Sequence, residues 1–251
     1  MSGRAAGVRA AVRDQLMKRA HDVTDGSRRS VLVIAPHPDD ETLGCGSLIL
    51  RARRSGARVT LVVATDGAVS HETDDAISLA ARRSAELAAA ATLLGVPAAD
   101  VIELRYPDGE LSMHRNGFAD ELVKLIQQRR PDDVYTTCQA DWHPDHRAAA
   151  IAARDAVARC DPAPRLLEYP IWLWTDWPVS RRYRNGRGLL RALRILIGAE
   201  VEKVRIAELR EQKRQALQAY ASQLGDEDAL PAEVIDRALT GPELFFRLPP
   251  G

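Results

Sequence analysis

The chain has 251 residues, 45% of them hydrophobic, which is enough for one α/β domain and does not require a second. Lys plus Arg and Asp plus Glu are both 35, so there is no net basic field of the kind that attracts nucleic acid. Cys45, Cys138 and Cys160 are odd in number and scattered, with no Cys-x-x-Cys, which argues against a disulfide scaffold and for a reducing, cytoplasmic setting.

No apolar stretch approaches the roughly 20 residues that span a bilayer, and residues 1–29 are charged and alanine-rich without an apolar signal core. Residues 4–22 set Ala, Val, Leu and Met among Arg and Lys at helical spacing. This predicts a helical arm over 1–29, ending near Asp25-Gly26, ahead of a domain over 30–251. Val31 to Ala35 is a continuous aliphatic run that stops at Pro36, the pattern of a strand buried on both faces of a parallel sheet. His37, Asp39, Asp40 and Glu41 follow at once, where open α/β sheets bind ligands. His37 and Asp40, three apart on a proline-stiffened loop, can offer an imidazole and a carboxylate to one cation. Thr42 to Arg54 reads as a helix, with Gly44 and Gly46 allowing close approach of either a strand or a ligand.

Val59 to Ala64 is a second strand, and Thr65-Asp66-Gly67 turns the chain at the same sheet edge as His37, because parallel strands in sequence end together. Residues 68–75 form a polar loop whose His71 receives no role. Ala76 to Leu94 is an alanine-rich helix closed by Gly95 and Pro97, with Arg82, Arg83 and Glu86 a solvated face by default. Val101 to Leu104 is a third strand leading into the turn Tyr106-Pro107-Asp108-Gly109, Phe118 to Gln128 a helix, and Val134 to Thr137 a fourth strand. A further helix runs to Val157. Strands alternating with helices predict a single α/β domain with a Rossmann-like, mostly parallel sheet flanked by helices.

The fourth strand leads into Trp142-His143-Pro144-Asp145-His146, which complements the first polar loop. Together the two loops supply two His and one Asp, and three protein ligands with one open position is the pattern of a catalytic zinc site. Beyond residue 160, Leu166 to Leu173 is strand-like and meets Trp172, Trp174 and Trp177, three of the four tryptophans. Such a cluster suits a pocket wall that stacks on a sugar or an aromatic aglycone. Arg181 to Arg194 holds six arginines and no acid, a solvated basic face or an anion site. Glu200 to Gln223 is expected as one long charged helix, and 226–251 as a cap.

Ala35-Pro36-His37-Pro38-Asp39-Asp40-Glu41 paired with His143-Pro144-Asp145-His146 resembles the PIG-L/LmbE-like family of zinc-dependent N-deacetylases, which act on N-acetylglucosaminyl conjugates. Thr65-Asp66-Gly67, Arg83 with Glu86, Pro107-Asp108-Gly109, and Lys213 to Ser222-Gln223 extend the likeness over roughly residues 30–225. The resemblance implies zinc, or another divalent metal such as Fe2+, on His37, Asp40 and His146. It implies Asp39 as general base, His143 supporting the oxyanion or protonating the amine, and Asp145 fixing a histidine tautomer. Arg83, which the resemblance turns towards substrate or a structural carboxylate, and Asp108, Trp172 and Trp174 become candidates for a small-molecule N-acetylated sugar conjugate. Two positions depart from the family. Asp141 stands where some members place an oxyanion-assisting tyrosine, and Tyr220 where a histidine is frequent. The rival readings are a metal-dependent phosphoesterase, which would need more carboxylates and a second metal, and a non-catalytic nucleotide-sugar module. The latter is weakened by the lack of a Gly-x-Gly-x-x-Gly after the first strand. Whether chains associate as a homo-oligomer is left open.

Overall fold

A computed structural model of the protein describes residues 2–24, 28–69, 76–173, 197–224 and 230–247. Trp174, Trp177, His71 and the Arg181 to Arg194 stretch lie outside the described residues. Eight strands form one sheet: β1 His21–Asp22, β2 Val31–Ala35, β3 Val59–Thr65, β4 Val101–Tyr106, β5 Asp133–Thr137, β6 Arg165–Tyr169, β7 Glu200–Val204 and β8 Glu243–Arg247. Their spatial order is β1-β7-β8-β6-β5-β2-β3-β4. All neighbours are parallel except that β8 runs antiparallel to both β6 and β7. The helices are α1 Ser2–Arg19, α2 Asp40–Arg54, α3 Ala76–Leu93, α4 Arg115–Arg129, α5 Pro144–Ala158, α6 Arg210–Gln218 and α7 Ala232–Thr240.

The aliphatic runs are strands because both of their faces are covered. In β2, Val31, Val33 and Ala35 join the core under α2 and α3, whereas Leu32 and Ile34 join the core under α4 and α5. Side chains of a strand alternate between faces, so one five-residue run feeds two cores, and all five residues are buried. A third cluster, with Leu16 of α1 and Ala20 just beyond its end, covers Val201, Leu244 and Phe246. Gly44 shows why α2 lies so close to the sheet. A Cβ there would collide with the ring of Tyr169, whose hydroxyl donates to the Ile34 carbonyl at 2.8 Å. The glycine serves helix-on-strand packing.

Two expectations for the C-terminal third are corrected. Residues 200–223 are not one helix: Glu200–Val204 is a strand, and α6 is followed by a 3-10 turn at Ala221–Gln223. The charged residues there favour a helix locally, but β8, from forty residues on, supplies a five-residue ladder against β7, and tertiary pairing overrides propensity. The tail is not a cap. It contributes α7 and then β8, which lies inside the sheet between β6 and β7 with Phe245 and Phe246 fully buried.

β2 has β3 on one side and β5 on the other, so the connections leave it in opposite directions. A crevice opens at the carboxyl ends of two such strands, where open α/β sheets hold ligands. The loops after β2 and β5 carry the two histidine motifs.

Candidate active site

The residues that follow β2, β3, β4, β5 and β6 all meet at this edge. They line a cavity of about 310 Å³, with His37, Asp39, Asp40, Val69, Arg83, Asp108, His143, His146 and Trp172 in its wall. A larger cavity of about 870 Å³ opens at the opposite edge, beside the first residues of β2, β5 and β6. Its Arg29 and Arg165 are committed to Asp133 and Glu202, and the smaller cavity, which holds both histidine motifs, is the candidate site.

Helix α2 begins at Asp40, two residues before the predicted start, so Asp40 and Glu41 occupy its first turn. Unpaired N–H groups and the helix dipole favour carboxylates there. Asp39 caps the helix with φ 125°, a conformation that costs a non-glycine residue about 1–3 kcal/mol and clusters at functional sites. Its carbonyl accepts the N–H groups of Thr42 and Leu43. The twist sends the two adjacent aspartates to different partners.

Asp40 Oδ2 lies 3.3 Å from His37 Nδ1 and 3.3 Å from His146 Nε2. Two ligands each about 2.0–2.1 Å from a tetrahedral zinc stand about 3.3 Å apart, so these atoms have the spacing of a shared coordination shell. His37, His143 and His146 also bring one nitrogen each within 4.8 Å of one another. The residues present therefore fit a divalent metal with nitrogen and oxygen ligands. The remaining nitrogens are held by carboxylates: His37 Nε2 lies 3.1 Å from both Asp108 Oδ1 and Asp145 Oδ2, and His146 Nδ1 lies 3.0 Å from Asp141 Oδ2.

Asp39 touches neither histidine. Its Oδ2 accepts from Arg83 Nη2 at 3.0 Å, and the same buried guanidinium donates to the carbonyls of Pro38 and Gly67. Gly67, at φ 65°, leaves room for the guanidinium, which would collide with any Cβ there. The resemblance offered Arg83 to substrate or to a structural carboxylate; its hydrogen bonds run to the Asp39 carboxylate and to the loops that hold it. Asp108 pairs with His37 and accepts the Val69 N–H. Asp145 accepts from Gly109 N and Leu111 N as well as facing His37, and its own N–H donates to His143 Nδ1 at the start of α5.

Electrostatics separates these groups further. Burial pushes Asp39 up to about 8 against the opposing pull of Arg83. Burial would also raise Asp40, but His146 and His37 outweigh it and hold Asp40 below the usual carboxylate range. Burial lowers His146, yet Asp40 and Asp141 more than offset it and bring it to about 9. His143, desolvated and facing His37 and His146, falls to about 3. Burial raises Asp108, but its bond to His37 prevails and leaves it at about 2.

Three residues were named in the sequence without a role. Asp141 was noted only for not being tyrosine, yet it is 1% exposed and holds His146. Gln223 lines the cavity. Glu41 is buried and accepts from Tyr220 Oη at 2.6 Å. A carboxylate five residues before His146 was the one available signal for Asp141.

Residues 32–157, half of the chain, match the PIG-L family described as GlcNAc-PI de-N-acetylase. The chain belongs to the PIG-L family. Among its relatives, an uncharacterized deacetylase of Escherichia coli K12, YaiS, is 31% identical over 161 residues, covering 62% of this chain and 81% of that one. Diacetylchitobiose deacetylase of Thermococcus kodakarensis is 35% identical over 136 residues, covering 52% of this chain and 49% of the relative. The match thus spans about half the length of that enzyme. The fold is similar to that of N,N'-diacetylchitobiose deacetylase from Pyrococcus horikoshii, with TM-score 0.67 and 25% identity over 88% of this chain and 84% of that one. Among the described residues of this PIG-L chain, no helix is long and apolar enough to cross a membrane.

Proposed function

We propose that this PIG-L chain is a zinc-dependent N-deacetylase that hydrolyses the acetamide of an N-acetylglucosamine-type conjugate, with His37, Asp40 and His146 holding the metal. The observation that carries the reading is the division of labour between neighbours. Asp40 Oδ2 is 3.3 Å from nitrogens of two histidines, while Asp39 turns away to Arg83 in the same cavity. The diacetylchitobiose deacetylases among its relatives support the substrate class.

When bound, the metal supplies a Lewis acid that acidifies a water and polarises an amide carbonyl. Asp39, raised to about 8 by burial, is a carboxyl whose proton affinity is matched to neutral pH, as a general base requires. It accepts a proton from the attacking water as the new C–O bond forms at the amide carbon. That proton then passes to the nitrogen as the C–N bond breaks, and the products are acetate and a free amine. His143 Nδ1 accepts the Asp145 N–H, which leaves the ring proton on Nε2. A neutral Nε2–H in the cavity wall can donate to the carbonyl oxygen as negative charge develops on it. Trp172, its ring centroid 5.4 Å from that of Trp142, offers an apolar surface on which a sugar ring can stack.

In this reading residues 30–251 form the deacetylase domain, and 1–29 are an arm whose helix ends at Arg19, short of Asp25-Gly26, and which joins the domain through Leu16, Ala20 and the pairing of β1 with β7. Cys45, Cys138 and Cys160 are free and buried, which supports a reducing, cytoplasmic setting. The test is amine release from diacetylchitobiose and N-acetylglucosaminyl-inositol by purified protein, before and after chelation, together with metal analysis. Chelator-sensitive amine release restored by zinc is expected. Phosphate release from phosphoesters without amine release would replace this reading by a phosphoesterase.

A further inference from the structure

Asp141 makes more hydrogen bonds than a surface-loop carboxylate needs and has no part in the chemistry above. It is 1% exposed. Its Oδ2 lies 3.0 Å from His146 Nδ1 and accepts the Ile171 N–H at 3.1 Å, and its Oδ1 accepts the Leu173 N–H at 2.8 Å. Three N–H groups therefore converge on one carboxylate. One belongs to a histidine of the metal site, and the other two flank Trp172 in the cavity wall.

We infer that Asp141 is the positioning residue of this site: it fixes the His146 tautomer so that Nε2 faces Asp40, and by the same carboxylate it fixes the 171–173 segment that carries Trp172. The inference rests on the deacetylase reading for its consequence, but its geometry is independent of substrate. A carboxylate is acceptor-only, so the nitrogen facing it must carry the proton. Nδ1 then donates to Asp141, and when the imidazole is neutral its lone pair lies on Nε2, the nitrogen 3.3 Å from Asp40 Oδ2, where it can serve a cation. Carboxylates behind ligating histidines fix ring orientation and raise ligand basicity, and losing one typically costs about 10–100-fold in metal affinity. Where some related proteins place a tyrosine, this chain has a group that cannot donate a hydrogen bond when ionised. Its contribution is to ligand geometry, not to the oxyanion.

The deciding variant is Asp141→Asn, which keeps size and shape. With the amide oxygen accepting from Leu173, the amide NH2 faces both His146 Nδ1 and the Ile171 N–H. Donor then meets donor at Ile171, and at His146 too unless its proton moves to Nε2, the nitrogen the metal needs. Zinc affinity, measured by chelator competition without substrate, should fall about 10–100-fold in Asp141→Asn. Asp141→Glu, which retains an acceptor, should recover part of the loss. A second measurement does not depend on how the variant folds. In wild-type protein loaded with zinc, nitrogen-15 spectroscopy should show a slowly exchanging proton on His146 Nδ1. Unchanged zinc affinity in folded Asp141→Asn, or a proton on Nε2 in the wild type, overturns the inference. If the wild type binds zinc with the expected Asp141 dependence but releases no amine from any N-acetylated sugar, the deacetylase reading alone fails. If it binds no zinc, both fail.

Discussion

Exchanging Asp39 for asparagine separates a proton acceptor from a metal ligand within one dipeptide. Among the described residues the side-chain partner of Asp39 Oδ2 is Arg83 at 3.0 Å, and asparagine can still offer that guanidinium a carbonyl oxygen of the same reach. Arg83 also keeps the carbonyls of Pro38 and Gly67, so the loop retains its tether. The variant lacks a group able to take a proton from water, and a positioned general base contributes about 10²–10⁴-fold. That factor corresponds to about 2.7–5.4 kcal/mol of barrier. Asp39→Asn should therefore retain stoichiometric zinc while turnover falls by at least about a hundredfold. Asp40→Ala removes the oxygen shared by His37 and His146, so metal and activity should disappear together. The assay is metal content per chain beside kcat for amine release, with a thermal melt as a folding control. Loss of zinc in Asp39→Asn, or full zinc in Asp40→Ala, would show that base and ligand have been exchanged.

Arg83→Ala should lower stability by about 2 kcal/mol or more, because it leaves the buried carbonyls of Pro38 and Gly67 without their donor at about 1–3 kcal/mol each; denaturant unfolding checks this, and a loss under 1 kcal/mol would mean that the guanidinium is not a structural tether. Zinc binding at pH 7 should release protons, since His146, held at about 9 without metal, must become neutral to act as a ligand. Calorimetry in buffers of different ionisation enthalpy measures the release, and zinc affinity should weaken as pH falls below 9. The same shift has a stability consequence with a definite sign. A histidine whose folded pKa lies above its unfolded value of about 6.5 stabilises the metal-free fold below that pH, and the contribution is lost as pH rises towards 9. A melting curve of metal-free protein that is flat across that window would refute the assignment. Phe246→Ala should cost about 3–5 kcal/mol by denaturant unfolding, as expected for a buried aromatic in an interior strand, whereas a peripheral cap would lose little.

The sequence by itself determined the sheet's central strands and named most of the residues that meet at the candidate site. Val31–Ala35, Val59–Thr65 and Asp133–Thr137 are short apolar runs ended by turn residues, and a strand buried on both faces has no other pattern to show. The histidine motifs were legible because catalytic chemistry depends on residue type at fixed spacing, which linear sequence records directly. The partners of those residues were legible only in part. Asp145 was expected behind a histidine, but that the histidine is His37, shared with Asp108, follows from β4 and β5 ending at the same edge on opposite sides of β2 and β3. Asp141 carried no local mark beyond its spacing from His146, because a carboxylate in a loop reads as solvated until the 171–173 segment closes over it. Strand β7 was misread for the same reason as β8: a strand whose ladder partner lies forty residues away is stabilised by a pairing that no window of the sequence contains. Residue chemistry is local and survives in the sequence, whereas pairing, burial and the choice of hydrogen-bond partner are properties of distance in space, which only the folded chain sets.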